Sequence, residues 1–267
     1  MSKIRLDQLV FERGLTPSRE RAKTTIMSGI VFVDGQKADK PGMPVSPEAK
    51  VEIRGDTLRY VSRGGLKIEK ALKVFEYDVS GLTVIDCGAS TGGFTDCLLQ
   101  NGAERVYAVD VGYGQLAWSL RQDERVVSME RTNIRHVTPD MLPVPMDLAV
   151  MDLSFISLKL VLPVVYDLLK ENGDVLCLVK PQFEAGKEKV GKKGVVRDIA
   201  VHQEVLEHFL DYAGQAGYTV MGLDFSPVKG PEGNIEYLAW LRKGSHTPEF
   251  AVDPQAVTAA SHAALQY

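Results

Sequence analysis

The chain has 267 residues, 45% of them hydrophobic and 25% charged, with a net charge of −4. That composition excludes a disordered, collagenous or coiled-coil protein, and the length suits two domains. No apolar run approaches the ~18–20 residues of a membrane helix, and the N-terminal MSKIRLDQLV lacks the hydrophobic stretch of a secretory signal, so a cytoplasmic protein without a membrane partner is expected. Cys87, Cys97 and Cys177 form an odd set without CxxC or metal-type spacing, so neither a disulfide framework nor a bound metal is expected. Charge is distributed unevenly. Residues 1–60 carry 11 Lys+Arg against 8 Asp+Glu, whereas the remainder is acidic, which suggests separate partners and a polyanion for the first part.

In chain order, Ile4, Leu6, Leu9 and Val10 recur at helical spacing, which predicts an amphipathic helix over 3–13 stopped by Gly14. A second helix follows, with Thr16 as N-cap, Pro17 in the first turn and Gly29 as the stop. Arg19 and Lys23 share one face of it, with Arg21, Lys3 and Arg5 nearby. Ile30–Val33 reads as a strand entering an Asp34-Gly35 hairpin, and KPGMPVSPEAKVEI closes with another short strand. RYVSRGGLKIEKAL (59–72) joins the two parts and regains helical periodicity from Leu66. Beyond it, apolar runs rich in branched residues at 82–88, 105–112, 147–153 and 174–181, with VVSME as a further strand, alternate with helical segments. This pattern predicts an α/β fold with a mostly parallel sheet covered on both faces. YTVMGLDFSPV and NIEYLAWLRK, after a helical stretch from Asp198 to Gly217, read as an antiparallel edge hairpin. The tail after Gly244 reads as a weak helix or disorder.

The run RLDQLVFERGLTPSRERAKTTIMSGIVFVDGQKADKP resembles the alpha-L RNA-binding fold of the S-four domain, over roughly residues 3–60. The resemblance implies that Lys3, Arg5, Arg19, Arg21 and Lys23 face RNA phosphates and RNA shape. Arg63 in the joining segment is a further candidate. So are Lys189, Lys192 and Lys193 in the glycine-interleaved loop 184–198, which also holds Lys187 and Arg197 and reads as a mobile basic flap over an RNA backbone.

The first strand of the larger part ends in DCGASTGGF. Glycines after a buried strand let the backbone turn sharply against a ligand, beside the free N–H groups of the next helix. Gly88, Gly92 and Gly93 give G-x-x-x-G-G rather than the G-x-G-x-x-G of dinucleotide folds, which disfavours a pyrophosphate. Asp110, 22 residues after Gly88, ends the second strand, where a carboxylate can accept both hydrogen bonds of a ribose diol. An adenosine without a diphosphate fits, and S-adenosylmethionine is such a ligand. Candidate cofactor residues are Asp86, Gly88, Ser90, Gly92, Gly93, Asp110, Asn133 below the adenine edge, and Phe94 toward the methionine end.

Asp152 and Lys180 each end a buried strand run, so opposite charges reach one sheet edge. Residues 61–243 resemble the FtsJ/RrmJ class of ribose 2′-O-methyltransferases, whose signature is a Lys-Asp-Lys-Glu tetrad. The first lysine is matched by Lys67 in Ser62-Arg63-Gly64-Gly65-Leu66-Lys67, the aspartate by Asp152 in MDLSF, the second lysine by Lys180 in LVKPQF and the glutamate by Glu236 in NIEYLAW. The resemblance implies that Lys180 stabilises or receives the proton of the 2′-hydroxyl, that Lys67 and Glu236 hold acceptor and base, and that Asp152 orients Lys180 and faces the methyl donor as a cofactor residue. With the S-four domain, the chain resembles the TlyA family, ribosomal RNA cytidine 2′-O-methyltransferases also named hemolysin A. It implies a Rossmann-like, S-adenosylmethionine-dependent methyltransferase domain over 61–245, an RNA-binding domain over 1–60, a tail over 246–267, and ribosomal RNA or ribosomal subunits as partner. The rivals are a non-catalytic RNA binder, a membrane-active hemolysin, for which the sequence offers no apolar span, and a base-nitrogen methyltransferase, whose Pro-Pro motif is absent from Asp152-Leu153-Ser154-Phe155. Oligomeric state is not encoded in any of these motifs.

Overall fold

A computed structural model describes residues 3–54 and 59–265. The chain divides into two compact units, Met1–Gly65 and Leu66–Tyr267.

In the first unit β1 (Ile4–Arg5) leads into α1 (Leu6–Glu12), followed by α2 (Arg19–Met27), β2 (Val31–Val33), β3 (Gln36–Ala38), β4 (Pro44–Val45) and β5 (Val51–Ile53). Leu6, Leu9 and Val10 of α1 pack with Ala22 and Ile26 of α2 and Val31 of β2 into a small core. The cap of α2 is Ser18, whose hydroxyl accepts from the Arg21 amide at 3.0 Å, and not Thr16, whose hydroxyl donates to the Ser18 carbonyl. The reason is reach: only a side chain at 18 stands three residues before an unpaired first-turn N–H. The Asp34-Gly35 turn has φ of 49° and 82°, the left-handed pair that a two-residue hairpin requires. It sets β3 against β2, with β5 on the other side of β2.

The second unit takes α3 (Gly64–Val74, whose first turn holds the division), β6 (Thr83–Cys87), α4 (Gly93–Gln100), β7 (Arg105–Val109), α5 (Trp118–Arg121), β8 (Val126–Met129) and β9 (Met146–Met151). It continues through α6 (Leu162–Leu168), β10 (Leu169–Val179), α7 (Pro181–Glu184), α8 (Ile199–Gln215), β11 (Tyr218–Phe225), β12 (Tyr237–Lys243) and α9 (Pro254–Ala264). The seven strands lie in the order β11-β12-β10-β9-β6-β7-β8. β6 to β10 run parallel, and β12 pairs antiparallel with both β10 and β11. This is the doubly covered Rossmann-like sheet with a late antiparallel edge hairpin that the strand runs predict. Ile85, Cys87, Ala149, Met151, Val175 and Cys177 pack with Val165 of α6 and Phe209 of α8. Their alternates Val84, Val150, Leu176 and Leu178 are equally buried, as a sheet covered on both faces demands.

The chain runs from β6 outward to β7 and β8, then crosses to β9 on the other side of β6. That reversal parts the connections at the carboxyl ends of β6 and β9 and leaves a crevice there. The tail, expected as weak helix or disorder, contains α9, capped by Asp253 accepting from the Ala256 amide at 3.0 Å. It packs on α8 and β11 and buries Thr258 and Ser261.

Candidate active site

Four chain segments deliver ionised side chains to the crevice. Lys67 comes from the start of α3, Asp152 from just past β9, Lys180 from just past β10, and Glu236 from the residue before β12. Lys67 Nζ donates to Glu236 Oε2 at 2.7 Å and to Asp152 Oδ2 at 3.4 Å. Lys180 Nζ lies 2.6 Å from Asp152 Oδ1 and 4.0 Å from Glu236 Oε1, and donates to Ser154 Oγ at 3.2 Å. Gln182 Nε2 adds a long contact of 3.4 Å to Glu236 Oε1. Lys67, Lys180 and Glu236 are 8%, 5% and 0% exposed.

Two cations and two carboxylates sum to zero charge, which makes their shared burial tolerable. Burial by itself would lower the Lys67 ammonium, but the Asp152 and Glu236 carboxylates outweigh it and hold it above the ordinary lysine value. Burial would likewise raise Asp152, but Lys67 and Lys180 outweigh it and keep that carboxyl below its usual range. Lys67 is therefore a fixed cation, unsuited to exchange a proton near neutral pH. Buried ion networks are a poor source of stability beside apolar packing, so this one at the crevice is the candidate site.

A cavity of about 1130 Å³ opens at the same edge, lined by Gly88, Ser90, Asp110, Asn133, Asp152 and Ser154 among others. Of the quartet, Asp152 lines this cavity. Gly88 has φ of 87°, and a Cβ there would lie 3.0 Å from the Asp152 carbonyl oxygen, so only glycine keeps this turn close to the β9 end. Asp110 accepts from the Ser90 amide at 2.8 Å through Oδ2 and from the Gly112 amide at 2.7 Å through Oδ1. Each oxygen keeps a lone pair, which suits a nucleoside diol. Asn133 Oδ1 accepts from the Arg135 amide at 3.1 Å and so fixes the turn after β8 at the cavity wall.

The remaining cofactor candidates lie elsewhere in the loop, outside the cavity's lining. Asp86 is fully buried, and its Oδ2 takes the Thr95 amide at 3.1 Å and the Thr95 hydroxyl at 2.7 Å, clamping β6 to α4. Burial pushes its pKa up to about 7, and its Oδ1 has no hydrogen-bond partner among the described residues. Gly92, at φ of 94°, caps α4, and a Cβ there would lie 2.8 Å from Leu116 Cδ1 and closer still to Leu120. Gly93 and Phe94 are buried in the first turn of α4. One end of the glycine loop thus opens to the cavity, and the other packs the helix.

Among the basic candidates, Lys3, Lys23, Arg63, Lys192 and Lys193 are exposed. Arg5 and Arg19 both reach the buried Asp7 carboxylate, at 3.0 and 3.3 Å. Burial would raise Asp7, but the two guanidiniums hold it below its usual range. Arg21 donates to the Tyr60 carbonyl at 2.7 Å, and Lys189 pairs with Glu204 of α8. Residues that sequence reasoning missed include Ser154, Gln182 and Phe155, which stands 91% exposed at φ of 63°. Polar and aromatic types directly after the strand ends were the available signal.

Residues 60–243 match the family model of the FtsJ-like methyltransferase. The chain belongs to that family. Residues 4–51 match the S4 domain. TlyA of Mycobacterium tuberculosis (strain CDC 1551 / Oshkosh), named as a 16S/23S rRNA (cytidine-2′-O)-methyltransferase, is 46% identical over 89% of this chain and 89% of that protein. Hemolysin A of Brachyspira hyodysenteriae is 40% identical over 88% of this chain and 98% of its own length. A solved structure from Streptococcus thermophilus carrying a hemolysin name matches with a TM-score of 0.78 and 48% identity, covering 99% of this chain and 97% of the other. The methyltransferase fold extends to a Listeria monocytogenes structure with a TM-score of 0.51 and 16% identity. This FtsJ-like methyltransferase has no described helix long and apolar enough to cross a membrane.

Proposed function

We propose that this FtsJ-like protein transfers a methyl group from S-adenosylmethionine to a ribose 2′-oxygen of ribosomal RNA, with cytidine as the target nucleoside. The observation that carries the reading is the convergence of Lys67, Asp152, Lys180 and Glu236 at the cavity's edge. The name of the M. tuberculosis relative supports the substrate, and the S4 match supports an RNA partner.

The lining suits the donor: Asp110 offers acceptors for the ribose diol, Gly88 and Ser90 form the turn beside it, and Asn133 walls the base side. When bound, S-adenosylmethionine supplies an activated methyl on a sulfonium. The chain's own work is to align a weakly acidic hydroxyl in line with that methyl and to manage its proton. Asp152 faces the cavity and, through its 2.6 Å contact, aims the Lys180 ammonium at the acceptor oxygen. Lys180 stabilises the oxygen as its negative charge develops; the oxygen–methyl bond forms as the methyl–sulfur bond breaks, and the hydroxyl proton leaves to solvent through the open cavity. Lys67, held charged by Glu236 and Asp152, keeps those carboxylates in place. Exposed lysines and arginines, Lys3, Lys23 and Arg63 with Lys192 and Lys193, neutralise RNA phosphates.

The test is transfer of tritiated methyl to ribosomal subunits, with the modified nucleotide mapped. Wild-type protein should label a cytidine 2′-oxygen. Lys180→Ala should lose ~10²–10⁴-fold in rate while still binding S-adenosylmethionine. Labelling on a base, or a near-normal rate for Lys180→Ala, overturns the reading.

A further inference from the structure

Glu184, the last residue of α7, belongs neither to the quartet nor to the cavity lining. Its Oε2 accepts from the Ser157 hydroxyl at 2.6 Å and its Oε1 from the Leu158 amide at 2.8 Å. The Tyr212 hydroxyl of α8 and the Cys177 thiol of β10 also face it, both pushed up by burial with this carboxylate adding to the effect. No cation of the described residues pairs with it, and burial raises its carboxyl above the ordinary glutamate range. A largely buried carboxylate without a counter-ion is an expensive way to make two hydrogen bonds, so what those bonds hold in place matters.

They hold the segment between Asp152 and Leu158. Ser154, Phe155, Ile156 and Ser157 line the cavity, and the segment passes through Phe155 at φ of 63°. A left-handed conformation at an aromatic residue is strained and persists only when its surroundings fix it. Three ties do so, all from the short run after β10. Lys180 Nζ donates to Ser154 Oγ at 3.2 Å. The Phe183 ring lies 5.1 Å from the Phe155 ring. Glu184 grips Ser157 and Leu158. A four-residue helix cannot hold its own geometry, so the Glu184 bonds also fix α7, whose N-cap is Lys180.

We propose that Glu184 is a positioning residue for methyl transfer. By pinning Ser157 and Leu158 to the end of α7, it fixes the Ser154–Ser157 wall relative to the Lys180 ammonium and so sets the alignment of the acceptor oxygen. The proposal rests on the ribose methyltransferase reading above.

The test compares Glu184→Ala and Glu184→Gln with wild type for kcat and KM toward ribosomal subunits and for S-adenosylmethionine Kd by calorimetry. A displacement of about 1 Å at a reacting group costs on the order of 10²-fold. Glu184→Ala should therefore lower kcat ~10²-fold, with cofactor Kd changed less than about threefold. Glu184→Gln, which keeps an acceptor for the Leu158 amide, should recover at least tenfold of that loss, a rescue that lost volume alone would not give. If Glu184→Ala fails to fold, Ser157→Ala tests the same bond from the other side. It should lower kcat about tenfold and should cost less when added to Glu184→Gln than alone, because the two share one bond. A folded Glu184→Ala within threefold of wild-type kcat, a loss confined to cofactor binding, or strict additivity of Ser157→Ala with Glu184→Gln would each overturn the proposal. Wild-type protein that leaves riboses unmethylated sinks the functional reading; active wild type with indifferent Glu184 variants sinks this one alone.

Discussion

Gly230→Ala isolates the geometry of the quartet without removing a charge. The backbone at Gly230 lies outside the left-handed region, so alanine is conformationally acceptable there. Its added Cβ would fall 2.6 Å from Glu236 Cδ and closer still to Oε1. Ordinary carbon contacts lie at ~3.5–4.0 Å, so the buried carboxylate must retreat by about 1 Å. That movement stretches its 2.7 Å bond to Lys67 Nζ and, through Lys67, disturbs Asp152. A misplacement of this size costs ~10²-fold in rate, and overpacking costs ~1–3 kcal/mol of stability. We expect kcat for methyl transfer to fall about 100-fold, with S-adenosylmethionine Kd unchanged and a modest drop in Tm by circular dichroism. Gly214→Ala is the control: a Cβ there meets nothing within 4 Å in the last turns of α8, so it should be stabilising by ~0.5–1 kcal/mol and fully active. If Gly230→Ala keeps kcat within threefold of wild type, the alignment of Glu236 does not govern the reaction and the division of roles is wrong.

Asp86 and His202 should give opposite pH signatures in thermal melts. Asp86 sits at about 7 in the fold against ~3.9 unfolded, so the folded state binds the extra proton between those values. Its contribution is present below pH ~4 and lost as pH rises through 7, and wild type should gain on Asp86→Asn as pH falls across that window; a flat difference would refute the burial argument. His202, pushed down to about 4 by burial and bonded to the Val196 carbonyl and the Tyr237 hydroxyl, is the reverse: the unfolded chain protonates first, so stability is lost as pH falls from ~6.5 toward 4, and His202→Gln should lessen that loss. In RNA binding titrated against salt, Lys192→Ala and Lys193→Ala should each reduce the log–log slope by ~1. Lys189→Ala should reduce it less, because its ammonium is already paired with Glu204; equal effects at all three lysines would refute that distinction.

The parallel sheet was legible because its strands are buried on both faces and read as unbroken branched apolar runs, and the turn residue after each run marks where the crevice lies. Asp152 and Lys180 could be named because each directly follows such a run, and Lys67 and Glu236 because SRGGLK and NIEYLAW resemble the FtsJ/RrmJ signature. What the sequence could not show was depth. DCGASTGGF places Asp86, Gly88, Gly92 and Phe94 in one loop, yet Gly88 meets the cavity while Asp86 ties β6 to Thr95 and Gly92 packs against Leu116. Neither role is periodic, so composition and spacing do not separate them. The closeness of Gly230 to Glu236, the clasp of Glu184 on Ser157 and the Lys189–Glu204 pair are tertiary facts with no local signature. The helix over Pro254–Ala264 was underrated because alanine-rich periodicity after a proline is a weak signal until Asp253 is seen to cap it.

The neutrality of the quartet explains why these four positions must be treated as one unit. Lys67→Ala would leave two carboxylates facing a single buried ammonium, and Glu236→Ala would leave two ammoniums facing a single carboxylate. Uncompensated buried charge of this kind typically costs ~3–5 kcal/mol, a large share of the ~5–15 kcal/mol that holds a protein folded. Loss of activity in either variant would therefore mix chemistry with instability. Asp152 differs because its side chain is 22% exposed at the cavity, where water can relieve an imbalance. Gly230→Ala and Glu184→Gln change geometry while leaving all four quartet charges in place, which makes them sharper probes of the site than the charged residues themselves.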